Sequence, residues 1–101
     1  MNLNMMKQAL ELRSKLEKVK KELSKMTAEA EAGKGAVTVV ASGDQKIVSI
    51  KIAPEAVNPA KVGDLEKLIF KATNDALENS RKMAADKMKE LTGGLNIPGL
   101  T

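Results

Sequence analysis

The chain has 101 residues, of which 43% are hydrophobic and 30% charged, and its formal net charge is +4. This is the length of one domain, and the balance of apolar and charged residues excludes an intrinsically disordered chain. The sequence contains neither cysteine nor histidine, which excludes a disulfide scaffold, thiol nucleophiles and most transition-metal sites. Because Phe70 is the only aromatic residue, the core must be built from aliphatic side chains, and self-association is a natural way to enlarge it.

The first predicted element is a long helix over residues 3–26, capped by Asn2 or Asn4. Its apolar residues are spaced alternately four and three apart, which is the pattern of a helix-packing seam. The seam consists of Met5, Ala9, Leu12, Leu16, Val19, Leu23 and Met26. The opposite face is mostly lysine and consists of Lys7, Glu11, Ser14, Lys18, Lys21 and Lys25. One face therefore predicts contact with another helix, and the reverse face fits either an anionic partner or solvent alone.

Three strands are predicted after this helix. Residues 27–33 alternate small apolar and polar side chains, which fits a short edge strand or a frayed helix end, and the strand is favoured because Gly33 and Gly35 follow directly. Residues 36–42 and 45–53 are rich in β-branched residues. Gly43 and Asp44, which separate the last two segments, are typical of a tight hairpin turn. In the third strand, alternation predicts that Val48, Ile50 and Ile52 share one face, while Ile47, Ser49 and Lys51 share the other.

A second long helix is predicted to follow a connector. Pro54 ends the third strand and begins one helical turn, and the helix then runs from its cap Asp64 to about Leu91, with Phe70 in its apolar stripe. The order α-β-β-β-α predicts an α+β domain with a small antiparallel sheet. Because both helices are longer than the strands, residues 1–13 and 79–91 should project beyond the sheet and pair with each other. We expect this domain to cover residues 1–92 and a flexible tail to cover residues 93–101.

Positive charge is concentrated at the two projecting ends. Residues 1–25 hold seven basic and three acidic side chains, and residues 79–91 hold four and two. The carboxylates alternate with lysines at the i,i+4 spacing of ordinary helix-surface pairs, and residues 33–39 lack the spacing of a phosphate-binding loop. The sequence therefore predicts no enzyme, no cofactor, no metal site and no small-molecule substrate.

The residues alone leave two functions open. The first is binding of duplex DNA, mainly through phosphates and with weak sequence selectivity, because aromatic side chains for base stacking are missing. The second is a helical protein-interaction module, whose seam packs against another protein and whose lysines only keep the surface soluble. Membrane binding is disfavoured, because the first helix has no Trp or Phe at its apolar boundary and no segment is apolar enough to span a bilayer.

Over nearly its whole length, the sequence resembles the YbaB/EbfC family of small bacterial nucleoid-associated proteins. The resemblance rests on four segments in order, MNLNMMKQALELRSKLEKVKKEL, GAVTVVASGDQKIVSIKIAPEAV, DLEKLIFKATNDAL and GGLNIPGL. It implies a tweezer-like homodimer whose sheet regions join and whose helical arms project. It also implies a cytoplasmic, nucleoid-associated protein that binds DNA, organises the nucleoid and regulates genes.

Candidate site residues follow from position on these projecting ends. The expected DNA-binding residues are Lys7, Arg13, Lys15, Lys18, Lys21, Arg81, Lys82, Lys87 and Lys89. Acidic neighbours interrupt this surface, namely Glu11, Glu17, Asp86 and Glu90. A homodimer is expected because the sheet should have two apolar faces that exceed what two helices can cover. The expected dimer-interface residues are Val37, Val39, Val48, Ile50, Ile52 and Phe70.

Overall fold

The computed structural model describes residues 2–92 and has the predicted order α-β-β-β-α. Helix α1 covers Leu3–Lys25, and strands β1, β2 and β3 cover Thr27–Ala32, Val37–Ser42 and Ile47–Ile52. Helix α2 covers Val62–Thr92. The strands form one antiparallel sheet in the order β1-β2-β3, which confirms the predicted α+β class. The tail expected over residues 93–101 lies outside the described residues.

Helix α1 begins where the sequence predicts. The side-chain oxygen of Asn2 accepts a hydrogen bond from the N–H of Met5 at 2.8 Å, so Asn2 is the cap. The helix ends at Lys25, and Met26 follows it in an extended conformation that leads directly into β1. The predicted helix is thus confirmed to within one residue at its C-terminus.

Helix α2 begins earlier than predicted. Two short 3₁₀ turns, Pro54–Ala56 and Pro59–Lys61, precede it, and the side chain of Asn58 caps the second turn by accepting the N–H of Ala60 at 3.0 Å. This turn leads straight into Val62, so Asp64 lies inside the first helical turn and is not the predicted cap. Its negative charge there faces the positive end of the helix dipole.

The hairpin between β2 and β3 has a longer loop than the predicted two-residue turn. The N–H of Gln45 donates to the carbonyl of Ser42 at 2.9 Å, and the N–H of Ser42 donates to the carbonyl of Lys46 at 2.8 Å. Gln45 adopts a left-handed conformation with a φ of 65°, as expected for the last residue of a three-residue hairpin loop. Strand β3 therefore starts at Ile47, two residues later than the sequence suggested.

A bulge in β3 changes which side chains share a face. Val40 pairs with Ser49 while Ala41 pairs with Ile47, so Val48 is an extra residue on β3. Opposed residues share a face. The pairs on the first face are Val37 with Ile52, Val39 with Ile50, and Ala41 with Ile47. The reverse face is largely polar and includes Glu29, Glu31, Thr38, Ser49 and Lys51. The sheet thus has one apolar face, and the predictions of two apolar faces and of Ile47 opposite Ile50 were wrong.

Helix α2 covers only part of this apolar face. It packs against β1 and β2, where Val37 and Val39 have no exposed surface, and it meets them through small residues such as Ala72 and Ala76. Strand β3 lies at the edge of the sheet beyond this contact. Ile50 therefore remains 46% exposed although it belongs to the apolar face.

The molecule is elongated. Its radius of gyration is 19.0 Å, whereas a compact domain of this length has about 13 Å. The excess arises because α1 and the last part of α2 extend past the sheet, as the element lengths predict. These extensions carry the basic residues singled out in the sequence.

Candidate nucleic-acid interface

The projecting structure, called the arm below, consists of α1 and residues 81–92 of α2. The two helices are antiparallel, and Val19 and Leu23 of the predicted seam are buried in this part of the structure. The base of the arm is fixed by Gly43 in the β2–β3 loop, whose N–H lies 2.9 Å from the carbonyls of both Leu23 and Met26. The sheet therefore holds the arm through the C-terminal end of α1.

The helices of the arm differ in length. Residues 81–92 of α2 span about 18 Å and α1 about 35 Å, so α2 ends beside the middle of α1. Leu91 lines a cleft with Lys15 and Lys18, and every described residue from Asn2 to Lys15 is exposed. The prediction that residues 79–91 pair with residues 1–13 was therefore wrong. Their partners are residues 15–26, and residues 3–14 form a tip beyond the two-helix region.

The arm carries more positive charge than the whole chain. It holds eleven basic and five acidic side chains, a net charge of +6, whereas the chain as a whole has +4. The remainder of the molecule is accordingly net negative. A polyanion approaching the protein is attracted to the arm and repelled by the sheet end.

The basic residues predicted on α1 are all exposed, but they do not form one surface. Lys7, Lys18 and Lys21 lie on the face opposite the seam, and no carboxylate within residues 2–92 is close enough to form an ion pair with them. Lys15 flanks the seam on the side where α2 ends. Arg13 lies nearer the other side of the seam, and its Nε is 3.6 Å from the carboxylate of Glu17.

The basic residues predicted on α2 have more varied surroundings. Arg81 donates to one oxygen of Glu78 through Nε at 3.1 Å and Nη2 at 2.7 Å. The hydrogen bonds from Arg81 lower the pKa of Glu78, so this carboxylate stays ionised and offsets part of the positive charge of Arg81. Lys82 and Lys89 are exposed and lie seven residues apart, which places them on one face of α2.

Lys87 connects the two helices. Its Nζ lies 3.0 Å from the carboxylate of Glu22 on α1 and 3.5 Å from that of Glu90, and its side chain is 26% exposed. The hydrogen bond to Glu22 raises the pKa of Lys87 and lowers the pKa of Glu22. Lys87, one of the nine predicted DNA-binding residues, therefore forms an ion pair that joins the two helices of the arm. Sequence analysis missed Glu22, since nothing local indicates a partner 65 residues away.

The chemistry available on the arm is electrostatic. Its clefts are lined by side chains of both signs, such as Lys15, Lys18, Glu22 and Glu90, and so they do not form a dedicated anion pocket. Among residues 2–92 no group of three carboxylates comes together as a metal site. Neither long helix in this range has the unbroken apolar stretch needed to cross a bilayer.

The predicted dimer residues divide into two groups. Val37 and Val39 belong to the core beneath α2 and have no exposed surface, so a partner could not reach them directly. Val48, Ile50, Ile52 and Phe70 are exposed by 58, 46, 37 and 71% respectively.

The orientation of α2 places Phe70 on the flank of the helix toward β3. Asn79 donates to the carbonyl of Glu29 on β1 at 3.1 Å, and Ser80 donates to the carbonyl of Ser42 on β2 at 2.5 Å. The step from Asn79 to Ser80 thus turns from β1 toward β2. Phe70 lies about 80° further round the helix in the same sense, toward β3. Ile47, Ile50 and Ile52 are exposed apolar side chains on one face of β3, and together with Phe70, which is exposed on the flank of α2 toward that strand, they are called the β3 surface below.

Comparison with known proteins identifies relatives of the chain. Residues 1–95 match the model of the YbaB/EbfC DNA-binding family. A nucleoid-associated protein of Desulforamulus reducens is 52% identical over 100 residues, which cover 98% of this chain and 95% of the relative. A nucleoid-associated protein of Thermoanaerobacter pseudethanolicus is 46% identical over 97 residues, which cover 96% and 87%. An uncharacterized Helicobacter pylori protein of known crystal structure has the same fold, with a TM-score of 0.69 at 20% identity, covering 87% of this chain and 97% of that one.

Proposed function

The chain belongs to the YbaB/EbfC DNA-binding family, and we propose that it is a nucleoid-associated protein of the bacterial cytoplasm that binds duplex DNA with its arm. The family is one of DNA-binding proteins and not of enzymes, in agreement with the sequence prediction. The observation that carries the proposal is the charge distribution. The arm has a net charge of +6 within a chain of +4, and the acidic remainder would be held away from DNA.

Binding through phosphates fits the residues on the arm better than base recognition. Base-specific contacts in the major groove commonly use the fork of an arginine. The two arginines, Arg13 and Arg81, already face Glu17 and Glu78. The remaining cations are lysines, which attract phosphate as point charges and read little sequence. Weak selectivity suits a protein that organises the nucleoid at many sites and regulates genes where it covers their promoters.

A homodimer would join two such arms. The β3 surface is apolar and exposed, and it adjoins the free edge of β3, so that a second copy could bury it on both subunits at once. Two arms in one particle would bind DNA with greater avidity than one, because the second contact becomes intramolecular.

Fluorescence anisotropy with unrelated duplexes at two salt concentrations tests the DNA-binding proposal. The first variant reverses Lys7, Lys18 and Lys21 to glutamate on the arm. The matched control reverses Lys34, Lys51 and Lys61, which are exposed at the other end of the sheet, and makes the same change in net charge. The arm variant should lose binding while the control retains most of it. Equal losses would contradict binding by the arm, and no binding of the wild type at low salt would contradict DNA binding itself.

A further inference from the structure

The row of side chains opposite the seam of α1, called the outer stripe below, changes in composition along the helix. Steps of three and four residues define the row, and every member is exposed. Toward the sheet it is built from lysines, whereas on the tip two leucines flank a single lysine. Its members are Leu3, Lys7, Leu10, Ser14, Lys18, Lys21 and Lys25. The face proposed above to meet DNA therefore ends in apolar side chains.

The two leucines of the outer stripe are largely exposed. Leu3 is 82% exposed and Leu10 is 63% exposed. They lie seven residues apart, which is close to two full turns, and so they point to the same side of α1 as Lys7 between them. A duplex attracted to Lys7, Lys18 and Lys21 would cover both leucines as it binds. Leu3 and Leu10 therefore become part of any contact between this face and DNA.

The geometry of the arm allows the outer stripe to reach the major groove of DNA. This groove is about 12 Å wide and admits an α-helix. Helix α2 packs on the other side of α1, where Val19 and Leu23 of the seam are buried. Leu91, near the end of α2, lies beside Lys15 and Lys18, so α2 does not accompany the tip. It therefore does not obstruct the approach of the outer stripe to the groove.

We propose that Leu3 and Leu10 contact the methyl groups of thymine in the major groove. The C5 methyl group of thymine is the apolar group that base pairs present there, and the remaining groups on the base edges are hydrogen-bond donors and acceptors. Phosphates offer a leucine no apolar surface, but they suit the lysine end of the outer stripe. The inference rests on the proposed function and adds to it a preference for duplexes with methyl groups in the major groove.

The expected preference is modest. Removing one methyl group from water on binding increases affinity by about fourfold. The lysines of the arm attract every duplex alike, so most of the affinity remains independent of sequence. A contact between leucine and thymine therefore biases the protein toward T-rich segments without making it a sequence-specific regulator.

Uracil tests the proposal, because it pairs with adenine as thymine does and lacks only the methyl group. Fluorescence anisotropy compares an A·T-rich duplex with the same duplex in which uracil replaces every thymine. The wild type should bind the uracil duplex more weakly, by about fourfold for each methyl group contacted. The double variant Leu3→Ser and Leu10→Ser should bind the two duplexes equally.

Leu12→Ser is the matched control for Leu10→Ser. It makes the same substitution on the tip, but Leu12 belongs to the seam on the other side of α1 and is 50% exposed. L12S should retain the wild-type ratio of the two affinities, whereas L10S should reduce it. Helix content by circular dichroism should be the same in both variants, because both leucines are exposed.

Methylated cytosine gives an independent measurement, since 5-methylcytosine carries its methyl group at the C5 position, as thymine does. Methylation of a G·C-rich duplex should strengthen binding by the wild type and by L12S, and it should leave binding by the double variant unchanged. This comparison adds methyl groups, so it separates their contact from any effect of uracil on the shape of the duplex.

The outcomes separate this inference from the proposed function. Equal binding of the thymine and uracil duplexes by the wild type would overturn the inference and leave phosphate binding intact. Retention of the preference by the double variant, or its loss in L12S, would also overturn it. If the wild type bound neither duplex at low salt, the proposed DNA binding would fail, and the inference would fail with it.

Discussion

Glu22 and Lys87 join the two helices of the arm, with 3.0 Å between the carboxylate oxygen and Nζ. This ion pair depends on the protonation state of both groups. The pKa of Glu22 is lowered, so its contribution to stability is present above the ordinary value of 4.5 and is lost as the pH falls through the lowered pKa. The pKa of Lys87 is raised, so its contribution is present below 10.5 and is lost as the pH rises through the raised pKa.

Replacing Glu22 by Gln should therefore lower the melting temperature slightly near neutral pH and have no effect in acid. The physical reason is that wild-type Glu22 becomes neutral in acid, so both proteins then lack the ion pair. Thermal unfolding of both proteins from pH 3 to pH 8 measures the difference. Glu11→Gln is the matched control, since Glu11 lies on the exposed tip. A difference between wild type and E22Q that does not change with pH, or that E11Q reproduces, would contradict the role of this pair.

The junction between sheet and arm gives a second prediction, at Gly43. A Cβ atom at this position would lie 2.5 Å from the carbonyl oxygen of Leu23, too close for any unrelaxed structure. Gly43→Ala should therefore lower the free energy of unfolding by about 1–3 kcal/mol, the usual cost of overpacking, as measured by urea denaturation.

Gly63→Ala is the natural comparison for G43A. Gly63 lies in the first turn of α2, and a Cβ atom there meets nothing within 4 Å. The change should raise the free energy of unfolding by about 0.5–1 kcal/mol, because alanine loses less backbone entropy in a helix. If G43A were as stable as G63A, the close contact between the β2–β3 loop and α1 would be incorrect.

Periodicity was enough to predict the elements of this fold, because each one is amphipathic over its own length. The seam of α1 and the β-branched residues of β2 and β3 indicate helix and strand without tertiary information, whereas the small alternating residues of β1 also fit a frayed helix end. The position of β3 side chains depended instead on the hairpin loop, where Gln45 adopts a left-handed conformation that glycine or asparagine more commonly takes. That loop and the bulge at Val48 place Ile47 on the same face of the sheet as Ile50. A strict period of two along the strand predicts opposite faces for these two residues.

The candidate site was predictable as a region but not as a set of contacts. The basic character of α1 and of residues 81–92 follows from composition alone. Which cations are paired does not, since Lys87 meets Glu22 only when the fold brings distant segments together. The burial of Val37 and Val39 could not be predicted from the sequence for the same reason. Their segment indicates only a β-branched strand, and they are buried because α2 packs over them in the folded chain.

The pairing of cations on the arm predicts unequal effects of neutralising them. Lys18→Gln should weaken DNA binding and reduce the salt dependence by about 0.9 in the slope of log affinity against log salt, the effect of one lost phosphate contact. Arg81→Gln should have a smaller effect, because Glu78 already occupies that guanidinium. Anisotropy titrations over a range of salt concentrations measure both slopes.

Releasing Arg81 should have the opposite effect. Glu78→Gln removes the carboxylate that Arg81 contacts at 2.7 Å, so DNA affinity should increase. Glu66→Gln makes the same change in net charge on an exposed residue of α2 outside the arm, and it should increase affinity less. Equal gains would show that only total charge matters and would remove the argument for local contacts at Arg81.

The β3 surface gives the last prediction, which concerns self-association. Light scattering at micromolar concentration should give about twice the chain mass of 10.8 kDa for the wild type. Ile50→Glu should give a monomer, because a carboxylate buried without a partner is costly. Ile50 is 46% exposed in the single chain, so the variant should still fold, with unchanged helix content. Phe70→Ala should weaken the dimer without abolishing it, since one anchoring side chain is lost from the interface.

Lys51→Glu alters the opposite face of the same strand and should leave the dimer intact. A wild type that is monomeric at this concentration, or a dimer that tolerates both I50E and F70A, would exclude the β3 surface as the interface.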